Sequence, residues 1–253
     1  DAAPILGYGQ ASPSDKRYDV PTKPAVAAAL ERLRAETHPA QHLMVQTIFE
    51  AGLRREEALA LRAHQIPHPD AFKPGPFQHI EVSYGTKGGR EPSDPDRIGK
   101  RRMVRIRTAF VERLHLHKMN PRERGAALRV HAERHPTDSA PEHLFLNPET
   151  GLPYALSQPN KLFKRGGPAP TSPWTPHMGR HFYACWTLLE FLQEEARLAG
   201  LRRGDLIPST LEALGHASLL RLRAYLGHES SDTTDIYLAW ASEHLRINFA
   251  EVA

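Results

Sequence analysis

Apolar residues first recur at helical spacing at Val26, Leu30 and Leu33, a stripe at i, i+4 and i+7 that predicts an amphipathic helix starting near Pro24. Thr22 precedes it as a start signal, because a hydroxyl caps unpaired backbone N–H groups and proline fits the first helical turn. Pro39 ends this helix. A second is expected over about 40–51, and Gly52 interrupts the pattern before it resumes over 53–62. The period then changes to two. Ile80, Val82 and Tyr84 alternate with His79, Glu81 and Ser83, and Val104 and Ile106 alternate with Arg105 and Arg107, which predicts two strands. Helical patterns return over 108–118 and 121–134, and from Pro176 they run almost to the end. Between them, Leu144–Leu146 and Leu152–Tyr154 flank an Asn147–Gly151 turn as an expected second hairpin. Helices, a small sheet, then helices again make a mixed α+β domain, mostly helical with a small antiparallel sheet. Residues 1–23, rich in Pro, Ser, Gly and Asp, read as a tail or interdomain linker, leaving 24–253 as the domain.

Composition acts by exclusion. Of 253 residues, 40% are hydrophobic and 25% charged, which is enough apolar material for a core and rules out a disordered chain. No apolar run approaches the ~18 residues of a membrane span. A single cysteine, Cys185, excludes an intrachain disulfide and a cysteine-based zinc cage. Asp1–Gln10 shows no signal-peptide pattern, so a reducing, cytoplasmic setting is the expectation. The formal charge is +4, and it is clustered: between Lys87 and Arg107 stand eight basic residues against three acids. A strand with arginine at alternate positions presents a cationic face, so Arg105 and Arg107 on the strand, with Arg90, Lys100, Arg101 and Arg102 in the preceding loop, are candidate contacts to backbone phosphates.

Four segments carry candidate chemistry: Gly52-Leu53-Arg54 leading to Glu57; Thr86-Lys87-Gly88-Gly89 at a strand end; His177-Met178-Gly179-Arg180-His181; and Leu226-Gly227-His228 followed nine residues later by Tyr237, within Thr233-Thr234-Asp235-Ile236-Tyr237. In this order they resemble the tyrosine recombinase (phage integrase) family over roughly residues 24–240. The resemblance implies a site-specific DNA recombinase or integrase, the kind of enzyme that moves phage or mobile-element DNA. It would cleave and rejoin strands through a 3′-phosphotyrosyl intermediate, with neither metal nor ATP. It also implies the roles. Arg54 and Arg180 would clamp the scissile phosphate, where a planar fork bonds two oxygens at once. His177 and His228 would assist as donors or proton carriers, Lys87 would protonate the leaving 5′ oxygen, and Tyr237 would attack. Glu57 and His181 would support these groups. The implied partners are double-stranded DNA and further copies of the chain, a tetramer on DNA, in a nucleoid-associated cytoplasmic setting. No cofactor is implied.

The sequence also departs from the family's pattern. Leu214-Gly215-His216 is a second Leu-Gly-His, with Tyr225 nine residues on as a rival nucleophile; the Thr-Thr prefix favours Tyr237. The long connection between the strands makes Lys100 a rival general acid. The stretch from Arg180 to His228 exceeds the family's usual length, so residues 195–215 are expected as an inserted helix pair. Ala241–Ala253, with Leu245, Phe249 and Val252 on one face, is expected as a C-terminal helix that either packs on its own domain or docks on a neighbouring protomer. The family's N-terminal clamping domain is not among these residues. His131/His135 and His177/His181 are spaced i, i+4, but no His-Glu-x-x-His motif or third ligand accompanies them, so no metal is expected. The rival functions are a type IB topoisomerase-like DNA relaxing enzyme and a non-catalytic DNA-binding accessory protein.

Overall fold

The computed structural model describes residues 19–85, 98–165, 167–202, 205–227 and 232–248. Its first helix, α1 (Lys23–Glu36), starts where the sequence signals it: the Ala25 N–H donates to Thr22 Oγ1 at 3.3 Å, and Val26 and Leu33 are buried. Helix α2 (Pro39–Ala51) ends at Gly52, whose φ of 63° is left-handed. Glycine is needed there twice over, for that backbone angle and because a Cβ would run into the Tyr183 ring. The chain then re-enters a short helix, α3 (Arg55–Ala60).

Strands β1 (Phe77–Tyr84) and β2 (Ile98–Arg107) form a two-stranded antiparallel sheet, with Ile80 opposite Val104 and His79 opposite Arg105. Strand alternation gives this sheet two distinct faces. Ile80, Val82, Val104 and Ile106 enter a core shared with α1 and α2. On the other face Arg105 lies over the Phe77 and Phe191 rings, and His79 meets Tyr225. Helices α4 (Thr108–Met119), α5 (Arg124–Arg134) and α6 (Gln158–Phe163) follow.

The expected hairpin at 144–154 is a single bridge, Leu146 to Pro153. Proline has no N–H to extend a ladder, and the preceding backbone pairs elsewhere: Leu144 N–H donates to the Leu61 carbonyl, and Arg62 bridges His143.

Helix α7 (Pro176–Leu198) is buried on most sides because it is the wall between two cores. Phe182 faces the first core, while Tyr183, Leu188 and Leu192 face a second built with α8 (Pro208–Leu226) and α9 (Asp232–Asn248). Residues 195–215 are therefore not an inserted helix pair. They are the end of α7, a connection and the start of α8. The C-terminal helix does not begin at Ala241; it continues α9, and Leu245 is buried in the second core. Phe249 and Val252 lie outside the described residues. Upstream of α1, Val20 packs on the cores and Trp186 Nε1 donates to the Pro21 carbonyl. No helix among the described residues is long and apolar enough to cross a membrane.

Candidate active site

The left-handed turn at Gly52 sends Leu53 into the core and leaves Arg54 as the residue that opens α3. Three residues on, Glu57 is 0% exposed and reaches back: its Oε2 accepts from the Arg54 backbone N–H (2.7 Å) and its Oε1 from the Arg54 guanidinium (3.0 Å). Strand β2 contributes Arg102, whose two terminal nitrogens donate to the two Glu57 oxygens at 2.6 Å each. Helix α7 contributes Arg180, which approaches Glu57 to 3.9 Å and donates to the Gly52 carbonyl at 2.6 Å and the Leu226 carbonyl at 2.5 Å.

The Leu226 acceptor comes from the way α8 ends. Gly227, with φ of 63°, stops the helix and leaves its final carbonyls turned toward the site. Leu226 O takes Arg180 and Gly227 O takes Arg54, the latter at 3.5 Å. Helix C-termini carry partial negative charge, so cations settle there.

Three guanidiniums thus surround one carboxylate, an excess of two positive charges in a largely buried place. Burial alone would raise the Glu57 carboxyl, but the bonds and charge of Arg102, with the charges of Arg54 and Arg180, overcome it and hold the group below its ordinary value. Arg180, 3% exposed, is pushed down to about 10, first by burial and then by repulsion from Arg54. It stays cationic at neutral pH.

On α7, His177 is exposed and stands one turn from His181, their rings 4.2 Å apart. The Tyr237 hydroxyl on α9 lies 2.7 Å from His181 Nδ1. Tyr237 is 1% exposed, and its ionised form would favour the cationic form of Arg180, so the phenol lies inside the protein within electrostatic reach of the guanidinium cluster. The site therefore brings together Arg54, Glu57, Arg180, His177, His181 and Tyr237. Lys87, Arg90 and His228 lie outside the described residues.

The two Leu-Gly-His motifs have different surroundings. Gly215 is mid-helix, and a Cβ there would meet Leu238 of α9 at 2.7 Å, so that glycine serves helix packing. Leu226-Gly227 is the helix end that holds both arginines. Tyr225 is half-buried with its hydroxyl 3.1 Å from His79 Nε2.

The expected phosphate contacts divide. Lys100 and Arg101 are exposed, Arg101 at 63% and 3.8 Å from Glu81, but both belong to β2 and not to a loop. Arg102 is not an open contact: it is 8% exposed and spent on Glu57. Arg105 and Arg107 turn to Glu190, at 3.2 and 3.6 Å, and Arg107 also to Glu50 at 3.4 Å. Sequence reasoning missed the role of Arg102, although the signal was present. Two and four residues before Val104 and Ile106, Arg102 shares their inward face, so its head group must find an interior partner.

No known protein family matches the sequence as a whole, and no curated protein matches it. Solved structures do match its fold. The XerH site-specific recombinase bound to a palindromic difH substrate, a post-cleavage complex, has a TM-score of 0.57 at 18% identity, over 96% of this chain and 56% of that one. XerH bound to difH substrate in a pre-cleavage complex gives 0.53 at 18%, over 88% and 50%. The XerA recombinase gives 0.54 at 17%, over 94% and 66%. The mostly helical fold with its small antiparallel sheet is thus that of tyrosine recombinase structures, and the chain spans between half and two thirds of their length.

Proposed function

We propose that this chain is the catalytic part of a site-specific DNA recombinase that acts through Tyr237. The observation that carries this reading is the excess of two positive charges held around Glu57, within electrostatic reach of Tyr237, whose hydroxyl bonds His181 on the Arg180 helix. A desolvated cluster of guanidiniums with more positive than negative charge is completed by an anion, and planar forks suit the oxygens of a phosphodiester. The fold shared with the Xer recombinases supports the same class of reaction.

In this reading Arg54 and Arg180 bind the non-bridging oxygens, whose charge grows as the phosphorus becomes five-coordinate. The Tyr237 oxygen forms the new bond to phosphorus, and the bond from phosphorus to the 5′ oxygen breaks. Tyr237 gives up its proton on attack, and His181 Nδ1, in its neutral form, is placed to accept it at 2.7 Å. The leaving 5′ oxygen takes a proton from Lys87, with Lys100 of β2 as its rival. His177 and His228 donate to the phosphate. Religation reverses these steps, and the phosphotyrosyl bond retains what the phosphodiester held. Since Tyr237 is buried, α9 must shift for its oxygen to reach DNA. Double-stranded DNA is the partner, and a pair of sites brought together would need several copies of the chain, a tetramer.

The test is a covalent trap: incubate with supercoiled plasmid DNA, denature with SDS and compare wild type, Tyr237→Phe and Tyr225→Phe. An SDS-resistant adduct lost only in Tyr237→Phe is expected. Loss only in Tyr225→Phe would overturn the nucleophile. DNA binding without adduct in every form would favour an accessory protein, and relaxed circles without new junctions a topoisomerase-like enzyme.

A further inference from the structure

Arg102 belongs to none of the motifs on which the functional reading stands, yet of the three guanidiniums it makes the closest contacts to Glu57. Its fork takes both Glu57 oxygens at 2.6 Å, whereas Arg54 reaches one oxygen at 3.0 Å and Arg180 stands off at 3.9 Å. Its Nε donates to the Tyr225 carbonyl at 2.8 Å, one and two residues before the carbonyls that hold Arg180 and Arg54. The close approach to α8 also depends on Gly227, where a Cβ would lie 3.0 Å from the Arg102 side chain.

We propose that Arg102 is a positioning residue for strand transfer, an inference that rests on the reading above. By engaging both oxygens, Arg102 absorbs the carboxylate's charge and fixes its plane. Without that fork, Glu57 would turn toward Arg54 and Arg180 and compete with the phosphate for them. With it, the two remaining guanidiniums stay oriented toward the phosphate, and Arg102 itself ties β2 to the end of α8. Arg102 touches no DNA; its effect passes through Glu57.

The test compares wild type, Arg102→Met, Arg102→Lys and Arg101→Ala. Affinity for a nonspecific duplex is measured against salt, and the initial rate of adduct formation on plasmid at saturating DNA. A residue that neutralises a phosphate contributes about one unit to the salt slope. The slope is expected to flatten by about that much in Arg101→Ala and to stay unchanged in both Arg102 variants. The adduct rate is expected to fall on the order of 100-fold in Arg102→Met, as for a misplaced catalytic group, and to recover partly in Arg102→Lys, which restores charge without the fork. A flattened slope in Arg102→Met would overturn the proposal, because Arg102 would then face phosphate. So would a wild-type rate in Arg102→Met, or two variants equally slow that both melt far below wild type, the mark of a fold contact alone. A wild type that forms no adduct would instead overturn the strand-transfer reading, while the salt slope would still decide between phosphate and Glu57 as the partner of Arg102.

Discussion

Among the described residues, two places gather three cations around one glutamate. At Glu57 the partners are Arg54, Arg102 and Arg180, and the carboxylate is 0% exposed. At Glu190 they are Lys23, Arg105 and Arg107, at 3.2–3.6 Å, and the carboxylate is 27% exposed. The number of cations is the same, although Glu50 also shares Arg107 at the second place, and the consequence is not the same. Water screens the Glu190 group, which lines a cleft of about 270 Å³ between α1, α2 and α7 with a floor of Phe49, Phe182 and Trp186. At Glu57 little water is left to screen, so each charge is felt by its neighbours, and Arg180 and Glu57 both titrate away from their ordinary values. Burial, more than the number of cations, distinguishes a strongly coupled charge cluster from a solvated ion-pair network.

The comparison breaks most visibly in stability. Glu57→Gln leaves three guanidiniums in a buried place with a neutral acceptor, and should destabilise by about 3–5 kcal/mol; Glu190→Gln should cost about 1 kcal/mol or less. Urea unfolding of the two variants checks this, and equal losses would erase the distinction.

A smaller effect appears on acidification. The folded-state value of Glu57 is depressed, so its contribution is present above the unfolded carboxylate value of about 4.3 and is lost as pH falls through the folded value. His42 separates from it by pH. Burial pushes its imidazole down to about 4, so below pH ~6.5 the unfolded chain takes up a proton that the folded one refuses. Stability therefore falls first between pH 6.5 and 4. Melting temperatures read from pH 7 to 5 should drop by roughly 4–7 °C through His42, the share of the drop that His42→Gln removes, with the Glu57 loss following only at lower pH.

The smallest change is expected from Arg107→Ala. This half-exposed side chain bridges Glu50 and Glu190 at 3.4 and 3.6 Å, and its loss should shift stability by no more than about 0.5 kcal/mol. A loss as large as that of Glu57→Gln would show that the Glu190 network is not screened by water.

Much of this arrangement was legible in the sequence, where one element carries its own signal. Thr22 with Pro24 marked α1, Gly52 marked the end of α2, and alternation marked β1. Arg54, Glu57, Arg180, His181 and Tyr237, singled out by motif, lie together in the structure. What was not legible depends on partners far apart in the chain. Glu57 and Arg102 are 45 residues apart, and no spacing rule joins a short helix to a strand across that distance. Helix α6 was missed because six residues opening on Gln158-Pro159 are too few to show a period. The second hairpin was overread because apolar runs around a turn look alike whether or not a proline denies them a ladder.

The main-chain grip on Arg54 and Arg180 has an evolutionary consequence. Their acceptors at Gly52, Leu226 and Gly227 are peptide carbonyls, which no codon specifies. Replacing Leu226 with another apolar residue would alter the filling of the second core and leave the acceptor where it is. Inserting or deleting one residue ahead of it in α8 would rotate the helix by about 100° per residue and carry both carbonyls away. Descendants of this chain can therefore drift in letters along the last turn of α8 but not in count, so length, more than identity, is what inheritance must preserve there.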